Sequence, residues 1–160
     1  TSFRTEFREW ASPFAIDHAD QILCLGSCFA HELHQGLSDL QFKTGFSPFG
    51  IAFNPLSLCD QLDRIIENKP NTTDDLILND SLWHSLAHHG SYSAHDRDLA
   101  LDKMNRDLGS AHFRLTQSRV IVMTWGSAHY YQYKKTGQVV ANCHKIPQNN
   151  FEKKRDYSGK

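Results

Sequence analysis

The sequence has no marked excess of charge of either sign and no long apolar run. It contains 17 Lys and Arg residues and 18 Asp and Glu residues, which gives a formal net charge of −1. Without a broad basic field, neither a nucleic acid nor an anionic membrane surface is a predicted partner. No stretch approaches the roughly 18 consecutive apolar residues of a membrane-spanning helix. We therefore predict a cytoplasmic protein that binds neither nucleic acid nor membrane.

Cysteine is scarce as well. The 160 residues contain only four, at positions 24, 28, 59 and 143. Hydrophobic residues make up 39% of the chain, which is enough for one domain with a core that needs no disulfide bonds. Reduced thiols are therefore the predicted state. Histidine, in contrast, is frequent: there are ten, and this side chain suits proton transfer near neutral pH.

Two short apolar runs predict strands that are buried on both faces. Residues 21–25 end at Gly26, and residues 120–124 end shortly before Gly126. Continuous apolar runs of this length are typical of parallel sheets. Apolar residues at helical spacing over 29–40 predict a helix directly after the first strand. This order of elements predicts an α/β fold with three α/β/α layers and a mostly parallel sheet.

The remaining elements are predicted from periodicity and turn residues. They are a short strand and loop over 42–55, helices over 56–67 and 96–115, and a hairpin over 129–141. The inward-facing residues predicted on the second of these helices are Leu99, Met104, Leu108 and Ala111. Residues 74–95 show little periodicity, and we predict a loop-rich insertion there.

Chemistry is predicted at the carboxyl ends of the strands, where α/β proteins bind ligands. Gly26-Ser27-Cys28 and Gly126-Ser127 should share that edge. A helix N-terminus offers free N–H groups and a positive partial charge, which stabilise a thiolate and an oxyanion. In the alternative interpretation, Ser27 only caps the helix and Cys28 packs as a small apolar residue. The spacing leaves both interpretations open.

The histidines at 84, 88 and 89 form a second candidate cluster. The His84-x3-His88 spacing suits zinc if it lies on a helix. However, the surrounding sequence SLAHHGSYS is a poor helix former and no Glu follows His84. We therefore predict no metal and no cofactor, and expect the cluster to line a cleft or to pair with Asp residues.

Five motifs, in order along the chain, resemble the GSCFA family. They are LGSCFA (25–30), PFGI (48–51) followed by Asn54-Pro55, WHS (83–85) followed by two His and Ser93, TWGSA (124–128), and VANCHKIP (140–147). The resemblance spans residues 22–151. It implies a distant relation to SGNH/GDSL hydrolases, which are three-layer α/β/α enzymes of ester chemistry with a flavodoxin-like strand order.

The resemblance implies an SGNH-like esterase or acyltransferase whose substrate is a small-molecule or carbohydrate ester. Gly26-Ser27-Cys28 takes the place of the Gly-Asp-Ser nucleophile turn, so Cys28, or else Ser27, is the implied nucleophile. Gly50 and Gly126 are the implied oxyanion-site glycines. Ala128 stands where an Asn would donate a hydrogen bond, and Asn142 is the alternative donor.

His144 is implied as general base or substrate-binding group, because the family's late D-x-x-H motif does not occur in these residues. Lys145 is predicted either to hold an anionic substrate group or to be a solvated surface charge. His84 and His89 are predicted substrate-binding residues. We expect residues 1–160 to be a single domain that lacks its C-terminal portion. A non-catalytic ligand- or partner-binding module on the same scaffold is the alternative prediction.

Overall fold

The computed structural model describes residues 11–141 and 145–155. Three α-helices lie in these ranges: α1 (Cys28–Asp39), α2 (Pro55–Glu67) and α3 (Arg97–Gln117). The strands are β1 (Gln21–Gly26), β2 (Lys43–Phe46), β3 (Leu76–Asn79), β4 (Leu82–Ser85), β5 (Ser118–Thr124), β6 (His129–Tyr133), β7 (Val139–Val140) and β8 (Phe151–Arg155). No helix in the described part of the chain is both long enough and apolar enough to span a bilayer.

A small parallel sheet with the order β2-β1-β5 forms the centre of the fold. Successive side chains of a strand point to opposite faces, and β1 uses both. Ile22 and Cys24 pack towards α1, whereas Leu23 and Leu25 pack with residues of α2 and α3. The prediction of an α/β fold is confirmed, because helices pack against a small parallel sheet.

The helix boundaries follow from their caps. The α2 helix begins with Pro55 at its first position, and the Asn54 side chain accepts a hydrogen bond from the Ser57 N–H at 2.8 Å. It ends at Asn68, whose φ of 49° places it in the left-handed region. The Asp96 side chain caps α3 by accepting hydrogen bonds from two N–H groups of the first turn, those of Asp98 and Leu99. These caps agree with the predicted bounds to within two residues.

The loop-rich insertion predicted over residues 74–95 is wrong in one respect, because β3 and β4 form an antiparallel hairpin there. Asp80 and Ser81 connect the strands and both have positive φ, at 47° and 63°. Tight two-residue turns require this conformation and usually contain Gly. The turn lacks Gly, so its sequence does not resemble the common hairpin signal.

A third sheet has the order β7-β6-β8. The predicted hairpin is confirmed by the pairing of β6 with β7, in which Tyr131 lies opposite Val140. The strand β8, which has the charged sequence FEKKR, pairs along the other side of β6 and was not predicted. Its first residue, Phe151, is buried with Val140 and Leu86, so this sheet packs against the end of β4.

Two predictions of burial are also wrong. Leu99 of α3 is 67% exposed, and the neighbouring Ala100 is buried instead. The other inward predictions on α3, Met104, Leu108 and Ala111, are confirmed. Among the described strands, β5 pairs only with β1 and forms the edge of the parallel sheet. Its Ile121 is therefore 44% exposed, although its apolar sequence predicted burial on both faces.

Candidate active site at the carboxyl edge of the parallel sheet

The turn after β1 is held tightly against the end of β5. Gly26 has a φ of 127°, and a Cβ atom built on it would lie 1.9 Å from the Thr124 carbonyl oxygen. Only glycine fits at this position, because it has no Cβ and tolerates positive φ. The Gly26 carbonyl accepts a hydrogen bond from the Ala52 N–H at 2.9 Å. The start of α1 is thereby fixed to β5 on one side and to the loop after β2 on the other.

Ser27 sits at the N-cap of α1, but its side chain does not cap the helix. The hydroxyl oxygen lies 2.8 Å from the Thr124 hydroxyl, and the Ser27 N–H donates to the Thr124 carbonyl at 3.0 Å. Ser27 is also buried. The first N–H groups of a helix have no intrahelical acceptor. Because the Ser27 side chain does not accept from them either, the N–H groups at the start of α1 have no N-cap hydrogen bond from Ser27.

Cys28 is the first residue of α1, and it is exposed. This arrangement excludes the interpretation in which Cys28 is a packed apolar residue and Ser27 its cap. Cys24, which lies four residues earlier on β1, is buried, and burial raises the pKa of its thiol. Cys59 on α2 is exposed. Of the two residues implied as nucleophile, Cys28 is the accessible one.

The turn after β5 meets the Ser27 turn at the same edge, as predicted. A Cβ atom built on Gly126 would lie 3.9 Å from the Cβ of Ser27. The Gly126 and Ser127 N–H groups both donate to the Phe53 carbonyl, at 2.9 and 3.1 Å. Three chain segments therefore converge around Ser27: the turn itself, the end of β5, and the loop that leads into α2.

The two glycines implied for an oxyanion site have N–H groups that already donate within the protein. Gly50 donates to the Ser47 carbonyl at 3.1 Å, and Gly126 donates to the Phe53 carbonyl. Gly50 has a φ of 79°, and a Cβ atom there would lie 2.5 Å from the Cβ of His89. In this structure Gly50 packs closely against His89.

Three large aromatic side chains near this edge are open to solvent. Phe29 follows Cys28 and is 64% exposed; Phe53 and Trp125 are 45% and 59% exposed. A Cβ atom on Gly126 would lie 3.3 Å from the Phe53 ring, so Phe53 borders the turn after β5. Apolar surface of this kind next to an exposed thiol suits the apolar part of a ligand.

The predicted histidine cluster lies elsewhere, in and after β4. His84 is buried and its Nδ1 lies 2.7 Å from the Ser93 hydroxyl. His88 is 1% exposed, and its Nδ1 lies 2.8 Å from the Ser85 hydroxyl. Burial lowers the pKa of His88 to about 3, and the positive charge of Lys145 adds to this shift. The pKa of His84 is also lowered, chiefly by burial.

Lys145 is buried beside this cluster. Its ammonium group donates to the carbonyl oxygens of Ser85 and His88. Burial lowers the pKa of Lys145 to about 7. The interpretation of Lys145 as a solvated surface charge is therefore wrong, because the side chain ties the segment after residue 144 to the loop after β4.

His89 is less buried than His84 and His88. Its Nδ1 lies 3.2 Å from the exposed Ser91 hydroxyl, and its backbone N–H donates to the Phe49 carbonyl at 2.7 Å. Asn142 and His144 lie outside the described residues. Within the described ranges, no group of three or more His, Cys, Asp or Glu residues is arranged to hold a metal ion.

Thr124 is the site residue that the sequence reasoning missed. Its hydroxyl and carbonyl hold Ser27 in place. The residue was visible in the TWGSA motif at the end of a predicted strand. Threonine at the last position of a strand, next to a Gly turn, was the available signal.

The geometry defines the class: an α/β protein with an exposed thiol at a strand-to-helix turn on the carboxyl edge of a parallel sheet. A family model then identifies it more closely. The GSCFA family model matches residues 21–157, so the chain belongs to the GSCFA family. No curated protein and no solved structure matches it.

Proposed function

We propose that this protein is an SGNH-like esterase or acyltransferase that uses Cys28 as its nucleophile. The observation that carries the proposal is the exposure of Cys28 at the first position of α1, where Ser27 leaves the helix uncapped. Thiols at helix N-termini are favoured as nucleophiles, since the partial positive charge there stabilises the thiolate. The finer fold proposed with this function is the three-layer α/β/α arrangement.

In the proposed reaction the Cys28 sulfur attacks the carbonyl carbon of an ester. The N–H groups at the start of α1 stabilise the negative charge that develops on the carbonyl oxygen. The ester C–O bond then breaks, and the alcohol leaves with the proton that the thiol gave up through a base. Water or a second alcohol attacks the resulting thioester, which yields an acid or a new ester and restores the thiol.

The proposed base is His144, the residue that the family resemblance implies for this role, and two of the other histidines are engaged in the protein interior. His84 bonds to Ser93 and His88 bonds to Ser85 in the protein interior. The exposed aromatic residues Phe29, Phe53 and Trp125 would receive the apolar part of the substrate.

A small-molecule or carbohydrate ester is the proposed substrate class. The proposed location is the cytoplasm, a reducing compartment that suits the free thiols of Cys24, Cys28 and Cys59.

A non-catalytic binding module is the second candidate. The N–H groups of Gly50 and Gly126 already donate to protein carbonyls. Ala128 also lacks the side-chain donor that an Asn would supply. Such a module would keep the scaffold and its exposed aromatic surface without an oxyanion site of the usual kind.

The reactivity of Cys28 separates these candidates, and Cys59 is the internal control. Both thiols are exposed, but Cys59 lies at the fifth residue of α2 whereas Cys28 is the first residue of α1. The native protein would be alkylated with iodoacetamide at pH values between about 5 and 9, and the modified cysteines quantified by mass spectrometry.

The enzyme proposal expects Cys28 to be alkylated several times faster than Cys59 at neutral pH, with the difference widening at lower pH. Cys24 should stay unmodified, because it is buried, and this confirms that the protein remained folded. Equal rates at Cys28 and Cys59 over the whole pH range would favour the binding module.

A further inference from the structure

The start of α1 differs from the starts of the other two α-helices in the described ranges. The Asn54 side chain caps α2 by accepting from one backbone N–H, and the Asp96 side chain caps α3 by accepting from two. Ser27 is at the N-cap position of α1, and its side chain makes no such bond. The difference requires a physical reason, because serine is among the residue types that cap helices best.

The backbone conformation of Ser27 is not that reason. Its φ of −71° and ψ of 178° lie in the extended region, which is the usual conformation of an N-cap residue. From this conformation a serine hydroxyl normally accepts from the second or third N–H group of the helix, and here these are the N–H groups of Phe29 and Ala30. A rotation of the Ser27 side chain would therefore form the cap, unless another contact holds the hydroxyl elsewhere.

That contact is with Thr124. The Ser27 hydroxyl oxygen lies 2.8 Å from the Thr124 hydroxyl, and the same Thr124 oxygen accepts from the Ser27 N–H at 3.1 Å. The Thr124 side chain therefore engages both the hydroxyl and the amide of Ser27. Thr124 is itself held in place, because it lies opposite Gly26 in the ladder between β1 and β5.

The missing cap leaves the first N–H groups of α1 to another acceptor. A capping oxygen and a negative charge compete for the same N–H groups and for the same positive partial charge of the helix. Of the two residues that Ser27 would cap, Phe29 is 64% exposed and Ala30 is buried. The N–H of Phe29, next to the exposed Cys28, is therefore the group that we expect to meet a negative charge at this edge.

We propose that Thr124 is a positioning residue for the thiol at the start of α1. Its hydroxyl holds the Ser27 hydroxyl away from the first N–H groups of the helix, so that these groups remain available to the Cys28 thiolate and to an oxyanion. Thr124 acts through Ser27 and not by contact with the reacting atoms. Its contribution to catalysis rests on the proposed function, whereas its effect on the helix cap does not.

The first test compares the alkylation of Cys28 by iodoacetamide between about pH 5 and 9, with Cys59 as the reference in the same molecule. In Thr124→Val the freed Ser27 hydroxyl should cap α1. Cys28 should then be alkylated about fivefold more slowly at neutral pH, which is the size of a charge interaction with a helix N-terminus. Thr124→Ser keeps the hydroxyl and should restore the native rate at Cys28.

The matched control is Thr116→Val on α3, whose exposed hydroxyl donates to the Phe113 carbonyl. It removes a threonine hydroxyl from the same protein at a position outside the candidate site. The alkylation rates of Cys28 and Cys59 should both keep their native values in this variant. An equal slowing of Cys28 in Thr116→Val and Thr124→Val would overturn the inference, because the effect would then not depend on Ser27.

The double variant Ser27→Ala/Thr124→Val separates positioning from a contact that only joins the two turns. It has no Ser27 hydroxyl that could cap α1, so Cys28 should regain its native rate of alkylation. Replacing both partners of a hydrogen bond by apolar groups costs little stability, and the variant should fold. A contact that only joins the turns predicts that the double variant reacts no faster than Thr124→Val, and this result would contradict the proposal.

A second readout does not involve the thiol. An amide that gains a hydrogen bond exchanges its proton with water more slowly, and its proton resonance moves downfield in NMR spectra. Thr124→Val should show these changes at the amide of Phe29 or Ala30, and the double variant should not. If neither amide changes in Thr124→Val, the Ser27 hydroxyl has not moved to the helix and the inference fails.

The two readouts also distinguish this inference from the proposed function. If Cys28 of the native protein reacts no faster than Cys59, the proposed catalysis fails, and the amides of Thr124→Val still decide whether Thr124 holds Ser27 away from the helix. If native Cys28 reacts fast and Thr124→Val leaves its rate unchanged, the positioning role of Thr124 is refuted and Cys28 stands as the nucleophile.

Discussion

The edge of the parallel sheet and the loop after β4 both carry residue types used in catalysis, and they differ in access to solvent. At the edge, Cys28 is exposed and the helix behind it is uncapped. In the loop, His88 is 1% exposed and its Nδ1 is occupied by Ser85. Lys145 is also enclosed there, with its ammonium on two carbonyl oxygens.

The larger pKa shifts belong to this loop and to Lys145, which packs against it: the pKa of His88 falls to about 3 and that of Lys145 to about 7. In both residues burial is the main cause. Strongly shifted pKa values often mark active sites, but buried structural groups show them too. Here the strongly shifted groups are buried and hydrogen-bonded inside the protein, and solvent access identifies the candidate site. The following experiments test whether the exposed edge carries the chemistry and the buried groups only affect stability.

The largest effect is expected from Cys28→Ala. If Cys28 is the nucleophile, hydrolysis of a panel of p-nitrophenyl esters should fall by about 1,000-fold or more, since removing a nucleophile leaves only binding and oxyanion stabilisation. Cys59→Ala should retain native turnover, because Cys59 is exposed but lies away from the helix start. Native turnover in Cys28→Ala would instead direct attention to Ser27.

The next largest effect is an acid loss of stability caused by His88. Its folded-state pKa of about 3 lies below the ordinary 6.5, so between these values the unfolded chain binds a proton that the folded chain does not. The free energy of unfolding should therefore fall by about 1.4 kcal/mol for each pH unit from 6.5 towards 3. Urea unfolding at several pH values measures this slope.

His88→Asn is the matched variant for that slope, because Asn can accept the Ser85 hydrogen bond but does not titrate. It should lose this part of the acid dependence, whereas His129→Asn, at an exposed position, should keep it. If the free energy of unfolding depended on pH in the same way in the native protein and in His88→Asn, then His88 would not be a buried neutral group.

Lys145 should give a slope in the alkaline range. Its folded-state pKa of about 7 lies below the ordinary 10.5, so the unfolded chain holds the extra proton between these values. Stability should rise with pH from 7 to 10.5 by up to about 1.4 kcal/mol per unit relative to Lys145→Met. Urea unfolding of both proteins at pH 7 to 10 measures the difference. If the difference in unfolding free energy between the two proteins were the same at every pH, Lys145 would stay charged in the folded protein.

The smallest effect is expected from Thr124→Val, which keeps the shape of the side chain and removes its hydroxyl. The Ser27 hydroxyl loses its 2.8 Å partner, so stability should fall by about 1 kcal/mol. Thr116→Val, on the exposed surface of α3, is the control and should cost clearly less. Equal losses in urea unfolding would show that the Ser27–Thr124 contact does not stabilise the turn.

Much of the fold was predictable because the local signals agree with one another. Pro55 after Asn54 marks the start of α2, and the apolar run before Gly26 marks β1. The meeting of the two Gly-Ser turns followed from the geometry of parallel strands. These features depend on neighbours in the sequence, and for that reason the sequence was enough to predict them.

Features that depend on distant partners were not predictable in this way. The burial of Lys145 requires carbonyl oxygens about 60 residues earlier in the chain. The edge position of β5 depends on which strands pair with it, and its apolar sequence contains no such information. The uncapped start of α1 depends on Thr124, which turns the Ser27 hydroxyl away from the helix.

The free edge of β5 also bears on how the protein behaves at high concentration. Among the described strands, β5 pairs on one side only, and open edges with apolar residues such as Ile121 can recruit the same strand from another molecule. Arg119, which forms an ion pair with Asp20 at 2.8 Å, places a charge on that edge. Charged side chains at such positions oppose edge-to-edge aggregation, and this is the effect expected of Arg119.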